Sequence, residues 1–105
     1  MKKNYIFSEV VNLTLKEIMK NNKKIVLFGL GVDDPKGIFG TTKGLQEIFG
    51  KQRVFDMPAS ENAMTGVAIG MSLNKMIPIM NHQRMDFFLL AMDQLINNAA
   101  KWKYM

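Results

Sequence analysis

A chain of 105 residues has room for one small domain and not for two. With 48% hydrophobic and 22% charged residues it is composed like an ordinary globular protein, which argues against disorder over most of its length. The absence of cysteine excludes disulfides, thiolate metal sites and thiol nucleophiles, and the net charge of +5 comes largely from lysines, with Lys2, Lys3, Lys16, Lys20, Lys23 and Lys24 crowded near the start.

No recognition-helix motif or aromatic RNA-binding strand follows those lysines. They read as a solvated helix face and its exit loop, and no nucleic-acid partner is expected. No apolar run approaches the length that spans a bilayer. The start, MKKNYIFSEV, lacks the apolar core of a secretory signal. The expected compartment is therefore the cytoplasm, with no membrane partner. Ten methionines are many for this length, and such adaptable side chains point to packing in cores and interfaces.

The spacing in FSEVVNLTLKEIMKNN predicts an amphipathic helix with Ser8 as N-cap. Val10, Leu13 and Ile18, with Val11 and Leu15, mark its apolar side, and Lys16, Glu17 and Lys20 lie opposite. KIVLFGLG is a continuous apolar run bounded by lysines and glycines, the pattern of a strand covered on both faces in a parallel sheet. GVDDPKGIFG then reads as a loop, TTKGLQEIFG as a short helix closed by Gly50, and RVFDM as a short strand. SENAMTGVAIGMSLN predicts a helix with Ser60 as N-cap, and KMIPIMN a third strand that Pro78 should make irregular or lightly paired. MDFFLLAMDQLINNAAKWKYM predicts a long helix, with Asp86 near its positive end and Lys101 and Lys103 near its negative end. The alternation predicts a three-layer α/β fold with a mainly parallel sheet. Three short strands make a narrow sheet, and the chain stops at Met105 within or just after an apolar helix. The expectation is a fragment of a longer protein, or a sheet completed by something else.

FGLGVDD follows a strand, but it lacks the third glycine of a dinucleotide fingerprint, and no helix opens directly after it. GTTKG lacks the ending of a P-loop. Gly66 and Gly70 are four residues apart and share a helix face, which suits either close packing within the domain or a helix pair between subunits. His82 and Arg84 follow the third strand, where open α/β sheets meet their ligands. A hydrogen-bonded loop histidine is the plainer alternative, and no ligand cluster supports a metal there. Asp93 with Asn97, and Gln94 with Asn98, are further pairs four apart; a solvated face is the plainer reading, but the helix leaves little room for a polar side, which points some of these amides toward another subunit. Glu61 opens the small-residue helix. A carboxylate there is accounted for by the helix dipole, worth about 0.3–1 kcal/mol. Its neighbours Met57, Pro58, Ala59 and Ala63, however, predict poor hydration, and a carboxylate in such a setting holds a specific partner or a raised pKa.

The blocks GLQEIFGKQRVFDMPASENAMTGVAIGMSLNKMIPIM and DFFLLAMDQLINNAAKWKYM, in that order, resemble the start of the beta subunit of thiamine-diphosphate-dependent 2-oxoacid dehydrogenases. They resemble, more distantly, the pyrimidine-binding domain of transketolase. The resemblance runs from about Lys24 to the end. It implies an incomplete transketolase-like pyrimidine-binding domain over residues 1–105, in an enzyme of oxidative 2-oxo-acid decarboxylation. A transketolase-like carbon–carbon transfer enzyme and a non-catalytic assembly module are the alternatives.

By the same resemblance Glu61 hydrogen-bonds the aminopyrimidine of thiamine diphosphate and promotes its imino tautomer, whose nitrogen removes the thiazolium proton. Phe87 matches the aromatic position that packs on the pyrimidine. Magnesium and diphosphate are implied to be held by an alpha subunit or another diphosphate-binding domain, because the Gly-Asp-Gly motif for them is absent here. The chain departs from the family pattern at Asn81, where an acidic residue is usual, and through His82, Gln83 and Arg84, where apolar residues are usual.

Overall fold

Between Lys24 and Asp33 the chain carries no charge, and the most apolar part of that stretch becomes the centre of the molecule. In the computed structural model, which describes residues 4–37 and 39–105, this is strand β1 (Ile25–Gly29), buried at all five positions. Strands β2 (Val54–Asp56) and β3 (Ile77–Asn81) flank it, both parallel to it, in the order β2-β1-β3. Successive β1 side chains point to opposite faces, and each face has its own helices. Ile25 and Leu27 pack with Val54, Val32, Met19 of helix α1 (Phe7–Asn21) and Leu45 of helix α2 (Leu45–Phe49). Val26 and Phe28 pack against Met64 of helix α3 (Glu61–Leu73), and the Phe28 and Phe55 rings stack at 5.6 Å. This is the three-layer α/β arrangement with a parallel sheet that the alternation of elements predicts.

Local details differ from the sequence pattern for identifiable reasons. Helix α1 starts at Phe7 with Ile6 at the N-cap position, and the Glu9 carboxylate accepts the Ile6 N–H at 3.1 Å, so Ser8 lies inside the first turn and is not the cap. Its apolar stripe is also rotated. Val10 and Leu13 are both 47% exposed, whereas Asn12 and Met19 are buried. Asn12 goes inside because its Nδ2 donates to the carbonyls of Thr41 (2.9 Å) and Lys43 (3.0 Å). Gly50 ends α2 as expected, at φ 81° with its N–H on the Gln46 carbonyl. Lys2 and Lys3 lie outside the described residues.

Pro78 does not disturb its strand. All five β3 residues keep regular register with β1, from Ile25 opposite Ile77 to Gly29 opposite Asn81. The Ile77 N–H donates to Lys24 O on the β1 side, so by strand alternation the Pro78 nitrogen faces the open edge, where no ladder bond is lost. The long C-terminal helix is not one α-helix. Helix α4 (Met85–Phe88) passes into a 3-10 turn (Leu89–Ala91) and then a π-helical stretch (Gln94–Ala99).

Candidate functional site

Because all three strands are parallel, residues 30–44, 57–60 and 82–84 leave the sheet from the same edge. The β1-to-β2 connection uses one face and the β2-to-β3 connection the other, so the chain changes direction between β1 and β3, where a ligand crevice opens in such sheets. Three hydrogen bonds shape this edge. The Met57 N–H donates to Gly29 O at 2.9 Å, Asn81 Nδ2 to Leu30 O at 3.3 Å, and the Val32 N–H to Asp56 Oδ1 at 2.6 Å. Gly29 stands where the two strands end, at φ 151°, and a Cβ there would collide with the Asn81 backbone carbonyl.

Glu61 is the first residue of α3 and therefore stands on this edge, at the positive end of a 13-residue helix. Ser60 occupies the N-cap position, yet its hydroxyl makes no capping hydrogen bond. Glu61 is half-buried, and its carboxylate has no hydrogen bond or ion pair among the described residues. The dry surroundings expected from its neighbours are not formed by this chain: Pro58, Ala59 and Ala63 are exposed, because nothing described here covers the first turn of α3. One turn on, buried Thr65 donates from Oγ1 to Glu61 O at 2.8 Å and touches Met80 Sδ at 3.8 Å, tying the start of α3 to β3.

His82, Arg84 and Phe87 follow β3 at the same edge. Both His82 ring nitrogens are buried without a hydrogen-bond partner, and the ring stands edge-on to Phe88 at 5.7 Å. This differs from an ordinary hydrogen-bonded loop histidine. Arg84 is exposed. Its guanidinium pairs with Asp86 at 3.2 Å and lies 4.6 Å from the centre of the half-buried Phe87 ring. Cavities of about 400 and 450 Å³ lie elsewhere, the first beside Asn12 and Lys43 and the second beside Leu73 and Trp102. Among the described residues no cluster of three His, Asp or Glu side chains could hold a metal ion.

The small-residue face of α3 is partly used within the chain. A Cβ on Gly66 would meet Gln94 Oε1 at 3.6 Å, whereas at Gly70 the space is open. The polar pairs of the C-terminal stretch satisfy each other, Asn97 Nδ2 to Asp93 Oδ1 at 2.7 Å and Asn98 Nδ2 to Gln94 Oε1 at 2.9 Å, which leaves those two amide-to-oxygen contacts inside the chain. Two residues absent from the sequence reading matter here. Asp56 holds the loop after β1, and Arg53 donates to the carbonyls of Ile25, Met19 and Asn22. A charged residue on either side of a two-residue apolar strand core was their only signal.

Residues 4–105 match the family model described as transketolase, pyrimidine binding domain. The chain belongs to this family. The matched span takes in α1 as well as the blocks from Lys24 onward. Among the relatives of this pyrimidine-binding domain is the 2-oxoisovalerate dehydrogenase subunit beta of Bacillus subtilis, 39% identical over 98 residues, which cover 93% of this chain and 30% of the relative. The mitochondrial pyruvate dehydrogenase E1 component subunit beta of Chaetomium thermophilum is 35% identical over 103 residues, 98% of this chain and 27% of its own. The pyruvate dehydrogenase E1 component subunit beta of Bacillus subtilis is 34% identical over 96 residues, 91% and 30% respectively. The chain thus spans less than a third of the length of these relatives. Their names include a mitochondrial protein, so family membership does not fix the compartment. No helix of the described residues is long and apolar enough to cross a membrane.

Proposed function

We propose that residues 1–105 are the N-terminal part of the pyrimidine-binding domain of a thiamine-diphosphate-dependent 2-oxoacid dehydrogenase beta subunit, and that Glu61 is its catalytic residue. The observation that carries this is Glu61 itself: a carboxylate on the ligand edge of the sheet, at a helix N-terminus, with no partner among the described residues. A carboxylate engaged by an arginine or lysine would fit the role poorly, because the neighbouring positive charge favours its ionised form and opposes taking up a shared proton.

The residues present fit the pyrimidine side of the cofactor and not the metal side. Glu61 supplies an acceptor that can hold a proton shared with a ring nitrogen, and Phe87 supplies an aromatic wall on the same edge. Bound thiamine diphosphate would supply the carbanion chemistry that removes carbon dioxide from a 2-oxo acid. Magnesium and the diphosphate are assigned to an alpha subunit or diphosphate-binding domain, since no metal cluster exists among the described residues. That partner also supplies the cover that the first turn of α3 lacks, drying Glu61 and strengthening its hydrogen bond. His82 and Arg84 face the substrate side. A second copy of the chain packs along α3 at the open Gly70 face, where Val67 and Leu73 are exposed; Gly66 lies against Gln94.

Glu61→Gln in the full-length protein assembled with its partner tests the reading. Glutamine keeps the size and hydrogen bonding but cannot exchange the proton. Turnover should fall by about two orders of magnitude or more, the usual scale of acid–base catalysis. Exchange of the thiazolium proton, followed by NMR, should slow with it. Exchange at the wild-type rate would mean that Glu61 is only a helix-end carboxylate.

A further inference from the structure

A neutral imidazole has one donor and one acceptor, and burial without partners is the costly way to keep them. His82 does this with both nitrogens, although it sits on an edge where water is close and where Asn81, its neighbour, finds a carbonyl. Leucine or phenylalanine would fill the place beside Phe88 with no unmade bond. A buried polar group left unmade in a folded chain calls for a role. His82 also follows directly on β3 at the point where the sheet changes direction, and Arg84, two residues on, brings the positive charge of this segment.

We propose that His82 is a ligand-binding residue whose ring N–H is held without an acceptor in the free chain and donates to a carboxylate of the bound 2-oxo acid, with Arg84 giving the charge. This rests on the reading of the edge as the substrate side. The residue as a whole is half-buried while both ring nitrogens are buried, so the ring must turn for a nitrogen to meet the ligand. The Arg84–Asp86 pair does not prevent this, since both side chains are mostly exposed, at 62% and 60%, and such pairs are weak enough for a ligand carboxylate to displace Asp86. The trade is specific: the free protein gives up stability at His82, and the ligand recovers it by supplying an acceptor.

The test uses the full-length protein with its partner and no thiamine diphosphate, so that no turnover occurs. Pyruvate and 3-methyl-2-oxobutanoate binding is followed by calorimetry, and the Tm of the free protein by scanning calorimetry. His82→Phe should raise Tm by about 2 °C or more, because it keeps the aromatic contact and removes the unmade bonds. It should weaken binding of both acids at least tenfold. His82→Gln, which retains a donor, should bind within about threefold of wild type, and His82→Leu, which has none, should weaken binding at least tenfold and serves if the phenylalanine variant does not fold. Binding by His82→Phe within twofold of wild type overturns the proposal, whatever happens to Tm. Glu61→Gln separates the two claims in a second sample that contains thiamine diphosphate, where it should slow thiazolium exchange. A wild-type exchange rate there overturns the cofactor reading without touching the binding result for His82.

Discussion

Replacing Arg53 by methionine should be the most damaging single change at a side chain outside the core. The guanidinium makes three bonds to backbone carbonyls: Nε to Ile25 at 3.0 Å, and Nη2 to Met19 and Asn22, each at 2.9 Å. Met19 and Asn22 belong to the last turn and C-cap of α1, where the helix dipole is negative and the Asn22 carbonyl also accepts the Ile25 N–H at 3.3 Å. Arg53 thus caps α1 and fastens it to β1, while its guanidinium stands 5.2 Å from the Phe49 ring of α2. A hydrogen bond from a charged donor is worth about 1.5–3 kcal/mol. The three share one half-buried side chain, and water can serve some of the carbonyls in the variant, so the sum is nearer 3–4 kcal/mol on that scale. Against a total stability of about 5–15 kcal/mol this is a large share. Arg53→Lys carries the charge but not the fork, reaches one carbonyl, and should recover only about a third of the loss on the same scale. Urea unfolding of wild type and both variants measures it. A midpoint for Arg53→Met that corresponds to less than about 1 kcal/mol would show the guanidinium to be an ordinary surface group, as scattered surface changes give, and the reasoning would fail.

Gly29→Ala should splay β1 from β3 at the ligand edge, because the new Cβ meets backbone rather than a movable side chain; a loss of about 2 kcal/mol or more is expected in thermal unfolding. Asp56→Ala leaves the Val32 N–H without its 2.6 Å acceptor in a residue only 1% exposed. It should cost about 1–3 kcal/mol, with faster amide hydrogen exchange at Val32, whereas Asp56→Asn should keep most of the protection. Glu61→Gln, in contrast, breaks no bond in this chain and should lower stability by no more than the dipole contribution of about 0.3–1 kcal/mol, so a large drop in Tm would mean that the carboxylate has a structural partner.

Much of the framework is legible along the chain because it depends on near neighbours. A strand buried on both sides needs an unbroken apolar run, and Ile25–Gly29 is one. A helix that must stop needs a residue at ease with positive φ, and Gly50 is one. The carboxylate at the start of α3, between small residues and followed by Gly66 and Gly70, marks the site through local order, and the blocks around it carry the family.

What escapes such a reading joins residues far apart. Asn12 falls outside the apolar stripe read for α1, and it is buried with its amide on two loop carbonyls some thirty residues on. Pro78 reads as the mark of an irregular or lightly paired strand; β3 is regular and paired on one side only, and the fold makes it an edge whose outward nitrogen has nothing to pair with. Glu61 reads as dry from its apolar neighbours, yet hydration depends on what stands above them, and in this chain nothing does. His82 reads as a loop residue placed to meet a ligand, with an ordinary hydrogen-bonded histidine as the plainer alternative, and its two buried, unpaired nitrogens follow from the packing of Phe88 and the end of β3 around it. Apolar periodicity records which residues prefer to leave water; which polar groups go in with them, and whether they find partners there, depends on distances that exist only after the chain has folded.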